Sequence, residues 1–201
     1  HALVDIGEHY ERQSYRTRTT ILGPNGSQHL NVQIARDHGR KMPMHTVELS
    51  YAESWPQQHL HAIRSAYGQT PWFIHYIDDI EAVLTTRHNR LVDLNLATLK
   101  LGMKWLGLVP TLEISDGYVV LQDGCWQATD GNTRQLLSPK ASTPMDLRNQ
   151  LHPKKPLPTD VPPTRAYPQV FADRHGFVPR LSVIDLVCNS GPEARRFVVG
   201  G

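Results

Sequence analysis

The chain has 201 residues, 39% of them hydrophobic, which is enough for one sizeable core. A formal charge of +2, with Lys and Arg spread along the chain and no RNP, zinc-finger or basic-helix pattern, excludes nucleic acid as an expected partner. No run approaches the roughly 18 apolar residues of a spanning helix, no basic-then-apolar leader opens the chain, and Cys125 and Cys188 form no CxxC. The expectation is a cytoplasmic protein with no membrane insertion and no metal site.

Residues 2–6 and 18–22 carry β-branched and apolar residues as strands do, and the chain enters the first as if part-way, which predicts an upstream segment. Two strand-like runs joined through Asn25-Gly26 predict a hairpin, and residues 45–50 read as a further strand. The apolar period then lengthens. Ser54-Trp55-Pro56-Gln57 has the form of a capping box, and Leu60, Ile63 and Tyr67 follow at helical spacing. Helices are predicted near 55–67, 71–85 and 91–105, the last with Leu94, Thr98, Leu101 and Trp105 on one side and Gly107 as its stop.

Short strands follow at "VPTLEIS" and "GYVVLQDG", after which the chain turns polar. Pro153, Pro156, Pro158, Pro162 and Pro163 rule out a helix or central strand through that stretch. It is expected to wrap over the core as an ordered loop. "LSVIDLVCNSG" predicts a short buried helix, with Ser182 and Asp185 as a capping box and Gly191 as its end. The whole predicts an α/β fold over residues 1–201: a single domain with a mixed β-sheet built partly from the hairpin, packed by helices.

The segments "YERQSYRTRTTILGPNGSQHLNV", "WPQQHLHAIRSAYGQTPWFIHYIDDIEAVL", "DLRNQLHPKK" and "YPQVFADRHGFVPRLSVIDLVCNSGPEA" occur in this order. In them the chain resembles the WbqC-like family of bacterial proteins from about Val4 to Ala194. The family's Arg-Asn-Arg triplet reads Arg16-Thr17-Arg18 here, with both arginines kept and the amide replaced. The resemblance implies an opening segment ahead of this chain. It also implies a transferase that places an amino-acid or acyl group on a sugar in O-antigen or other surface-polysaccharide synthesis. The expected partner is a small-molecule sugar or nucleotide-linked donor. The alternative is a non-catalytic module that binds a sugar-nucleotide or a partner enzyme. Neither residues nor resemblance names a cofactor or an oligomeric state.

Arg16 and Arg18, two apart in a predicted strand, share a face and suit paired hydrogen bonds to a phosphate or carboxylate. The bland alternative is a solvated face paired with Glu11. His152 in the proline-rich loop has the near-neutral pKa of a general base, while Lys154 and Arg148 beside it could place charge on a phosphate. The loop could equally be polar because it is exposed. Tyr167 and Gln169 on one face of an extended segment suit a sugar or nucleobase, and Gly176 permits a turn presenting His175, a second acid–base candidate. Those rings could instead simply close the core. No Walker loop, GxSxG, GxGxxG or HExxH occurs.

Overall fold

The computed structural model describes residues 2–35, 42–115, 117–122, 125–129, 134–137 and 145–199. Its strands form three small sheets of differing orientation in place of one mixed sheet. β1 (Ala2–Val4) pairs in parallel with β4 (Leu112–Ile114), with the helices of residues 55–105 lying between them in sequence. β2 (Arg18–Gly23) and β3 (Gly26–Asn31) form an antiparallel hairpin. β5 (Tyr118–Gln122), β6 (Cys125–Thr129) and β7 (Arg134–Leu137) form an antiparallel meander.

The hairpin is present, but its turn residues are Pro24 and Asn25, because Gly23 and Gly26 already pair across the strands. Proline cannot take a positive φ, so the left-handed position falls on Gly26, at φ +109°. The strand starts at Arg18, which leaves Arg16 in the preceding turn rather than beside it on a strand face. The outer edge of β2 is closed by the Ser182 backbone N–H, which donates to Thr20 O at 2.7 Å. Residues 45–50 do not form a strand. Met44–Thr46 is a 3-10 turn, and only isolated bridges follow, Ile34 to Leu49 and Glu48 to Arg90.

The helices follow the periodicity. α1 spans Trp55–Tyr67, with Leu60, Ile63 and Tyr67 buried at the predicted spacing. The second predicted helix splits into a 3-10 turn, Phe73–His75, and α2, Ile77–Thr85. α3 spans Leu91–Trp105, and Gly107 at φ +60° ends the path behind it. The short α4 (Ala172–His175), α5 (Val183–Ser190) and α6 (Ala194–Val199) follow. Residues 151–166 hold neither helix nor strand. Their start is tied down by Arg180, which donates to the carbonyls of His152 and Lys155, each at 2.8 Å.

The main core gathers Ile21 and Leu30 of the hairpin, Ile63 and Tyr67 of α1, Ile80 of α2 and Val187 of α5. Tyr67 is fully buried, and its hydroxyl accepts the Leu22 N–H at 3.0 Å, so one ring both fills the core and fixes α1 against β2. A second cluster, Met44, Val47, Leu49, Trp55, Leu91 and Leu94, joins the 3-10 turn to the starts of α1 and α3. A third, around Val119 and Ala128, belongs to the meander. No helix is long and apolar enough to cross a membrane among the described residues.

Candidate functional site

Where the hairpin base meets α1, α2 and α3, the packing leaves a cavity of about 640 Å³. This lies within the size range of small-molecule sites. α3 explains why it stays open. The face that periodicity assigned to the core, Leu94, Thr98, Leu101 and Trp105, lines the cavity along its length, and only Leu94 is fully packed at its far end. Residues 147–151 and 180–184 close the opposite side.

Among the described residues four arginines line it: Arg16, Arg18, Arg148 and Arg180. Arg16 is committed to Glu8, with Nε 2.7 Å from Oε1, to the more distant Glu11 at 3.7 Å, and to the Arg148 carbonyl at 2.9 Å. Arg148 is held still more firmly. Nη1 reaches Asp5 Oδ2 and Val119 O at 2.6 Å each, the other side of the guanidinium grips Asp146, and the plane lies 5.2 Å from the Tyr118 ring centre. The hydrogen bonds from Arg148 hold the Asp146 carboxyl below its ordinary range. Arg180 sits at φ +63°, a left-handed backbone that arginine seldom adopts. It donates to two carbonyls and lies over the Tyr15 ring. Arg18 differs from all three. Its Nε is buried with no hydrogen-bond partner, and no carboxylate pairs with it among the described residues.

An unsatisfied buried donor carrying positive charge is costly unless a ligand completes it. Arg18 is therefore the cavity arginine with a donor to spare, whereas the other three are engaged within the protein. His59 of α1 stands close by. Arg18 pairs with Asn31 across the hairpin, and the Asn31 carbonyl accepts from His59 Nε2 at 3.0 Å. With the proton committed to Nε2, Nδ1 is the acceptor. Burial lowers the imidazole pKa, so the ring is neutral near pH 7.

The structure brings Arg16, Arg18 and Arg148 to one cavity. The remaining candidates do not line it. His152 follows the lining residue Leu151, and its Nδ1 accepts the Lys154 N–H at 3.1 Å, which leaves the ring proton on Nε2. The Lys154 ammonium bonds Gln13 Oε1 at 2.5 Å on the surface. His175 is exposed and meets the Pro24 carbonyl through Nε2 at 3.1 Å. Tyr167 and Gln169 face Asp185 instead, donating to Oδ2 at 2.8 and 3.3 Å.

Asp185 is fully buried. Its side chain makes no return bond to the helix start, where Ser182 Oγ alone accepts from the Ile184 N–H. Cys188 lies in the same interior, and burial pushes its thiol up to about 12, far from a working thiolate.

Arg180 and His59 were not legible as site residues. Nothing in "FVPRLS" signals a left-handed arginine, and His59 reads simply as one residue of an amphipathic helix. Among the described residues no group of three or more His, Cys, Asp or Glu comes together to hold a metal. In comparison with known proteins, the WbqC-like protein family matches residues 5–197. No curated protein and no solved structure matches the chain.

Proposed function

The chain belongs to the WbqC-like protein family, and from that membership and the cavity we propose a cytoplasmic bacterial transferase that moves an amino-acid or acyl group onto a sugar for O-antigen or other surface-polysaccharide synthesis. The observation that carries the site is Arg18, a cavity-lining cation whose buried Nε lacks a partner. A phosphate or carboxylate of the substrate completes it with charge-assisted hydrogen bonds. Arg16 and Arg148, already neutralised by carboxylates, shape the anion's surroundings more than they bind it.

In the transfer, an amine or hydroxyl of the sugar attacks the carbonyl carbon of an activated acyl donor. A C–N or C–O bond forms and the bond to the carrier breaks. His59 Nδ1 takes the proton of the attacking group and returns it to the departing carrier. His152 and Lys154, just beyond Leu151, meet the sugar at the rim, while Tyr167, Gln169 and His175 brace the chain leading to α5.

The test is calorimetric titration and turnover with nucleotide sugars, aminoacyl donors and coenzyme A thioesters. Arg18→Ala is expected to weaken binding about tenfold or more, in line with a lost charged hydrogen bond. His59→Gln is expected to leave binding intact and suppress transfer. Arg18-independent binding, or none, would remove the site. One observation favours the second reading, a non-catalytic binding module: His152 and His175 both lie off the cavity lining. Arg18-dependent binding without turnover by any donor would establish that reading.

A further inference from the structure

The cavity is divided by polarity along element boundaries. Among the described residues its charged lining, Glu8, Arg16, Arg18, Arg148 and Arg180, comes from the hairpin approach and from positions 148 and 180, and α1, α2 and α3 contribute no Asp, Glu, Lys or Arg. The wall formed by α2 and α3 presents Ile80, Val83, Leu84, Leu94, Leu99 and Leu101. Three side chains on that wall can hydrogen-bond, and two are already engaged. Thr98 Oγ1 donates to the Asn95 carbonyl at 3.0 Å, and Trp105 Nε1 donates to Asp79 at 3.0 Å. The Asn95 side chain and the acceptor side of the Thr98 hydroxyl are left.

A sugar ring or nucleobase laid on this wall would strip water from its polar groups and find almost nothing to replace it. A hydrocarbon chain loses nothing there, and each methylene it buries is worth up to about fourfold in affinity. We infer that the cavity takes an amphiphile, an aliphatic chain lying along α2 and α3 with a phosphate or carboxylate head at Arg18. The inference rests on the proposed function in taking this cavity as the substrate site, and it names the transferred or carried group as an aliphatic acyl or prenyl chain rather than a small amino acid. The chemistry is shared by a chain-bearing phosphate and by a fatty-acyl group on a phosphate-bearing carrier, and probes of both kinds separate them.

The experiment is calorimetry on the full chain, below the micelle concentration of each probe. The probes are hexyl, octyl and decyl phosphate, acetyl- and decanoyl-coenzyme A, inorganic phosphate, a uridine-diphosphate sugar and a decyl trimethylammonium salt. Affinity is expected to rise at least tenfold from hexyl to decyl phosphate, or from acetyl- to decanoyl-coenzyme A, with the stronger series naming the carrier. Arg18→Ala should weaken the decyl ligand about tenfold, and the ammonium salt should not bind. Leu99→Asp, at a position 43% exposed and so tolerant of charge, should weaken the decyl ligand and spare inorganic phosphate. Asn95→Leu extends the apolar wall and should tighten the decyl ligand. Arg18-dependent binding of the sugar nucleotide or acetyl-coenzyme A with no gain from chain length overturns this inference and leaves the proposed function standing. Equal binding of the ammonium salt also overturns the inference. No binding of any probe removes both.

Discussion

Asp185 is fully buried and Arg18 half-buried with a buried Nε, and the two are handled in opposite ways. Asp185 Oδ2 receives Tyr167 and Gln169, while Oδ1 has no hydrogen-bond partner among the described residues. Burial raises its pKa against the pull of those donors. For an acid raised above its unfolded value of about 3.9, the native state holds the proton longer than the unfolded chain. Its contribution is therefore complete below that value and is lost as pH rises through the folded pKa. Urea unfolding from pH 4 to 7 should show the wild type losing stability relative to Asp185→Asn as pH rises. A constant difference would mean an ordinary carboxyl. Asp185→Ala should be worse than Asp185→Asn at every pH, because it strands the Tyr167 hydroxyl at about 1–3 kcal/mol, while the Gln169 amide keeps its bonds to Val178. Arg18 Nε has no such partner among the described residues.

At the scale of elements, α1 and α5 carry matching start signals in sequence but behave differently. Ser182 caps α5 by accepting the Ile184 N–H at 3.3 Å, whereas Ser54 makes no side-chain cap to α1. Ser182→Ala is thus expected to cost about 1 kcal/mol in chemical denaturation, and Ser54→Ala less than about 0.5 kcal/mol. Equal losses would show that the α1 cap forms in solution. α5 also fixes neighbouring elements. Its Cys188 carbonyl accepts the Trp72 N–H at 3.3 Å, and a Cβ on Gly191 would fall 2.3 Å from the Trp72 ring. Glycine at φ +54° therefore serves both the helix end and the close approach of the indole.

At the scale of the whole molecule, Arg148 is the tie between remote parts of the chain. Its guanidinium joins Asp5 beside β1, Val119 of β5, Asp146 and the Tyr118 ring, while its carbonyl accepts Arg16. Asp5 is only 4% exposed at its side chain, and removing Arg148 leaves its buried carboxylate to the N–H groups of Gly7, Glu8 and Val119 and to the Ser115 hydroxyl. Arg148→Met is expected to cost about 1.5–3 kcal/mol of unfolding free energy, the range for a lost hydrogen bond to a charged group. The double variant Asp5→Asn/Arg148→Met should lose less than the sum of the two single changes, and strict additivity would show that the pair is not coupled. The Arg148-bound Asp146 adds the opposite pH sign to that of Asp185. Its lowered pKa contributes stability above the unfolded carboxylate value, and that stability is lost as pH falls through the folded one.

Helical periodicity placed α1 and α3 at the residues where they lie, because a 3.6-residue apolar repeat is a local property that survives any packing arrangement. The four family-like segments likewise carried the family, and Asn25-Gly26 marked the hairpin although its turn residues are Pro24 and Asn25. Residues 45–50 show the limit of such signals. Their β-branched run fits a strand, yet Thr46 turns back on the Pro43 carbonyl through both its backbone N–H and its hydroxyl. The meeting of Arg16 and Arg18 with Arg148, the left-handed Arg180, the approach of His59 to the hairpin and the commitment of Tyr167 and Gln169 to Asp185 required the tertiary structure. Each depends on contacts between residues far apart in the chain. Their energies come from excluding water and matching charge across elements, and no local pattern encodes them.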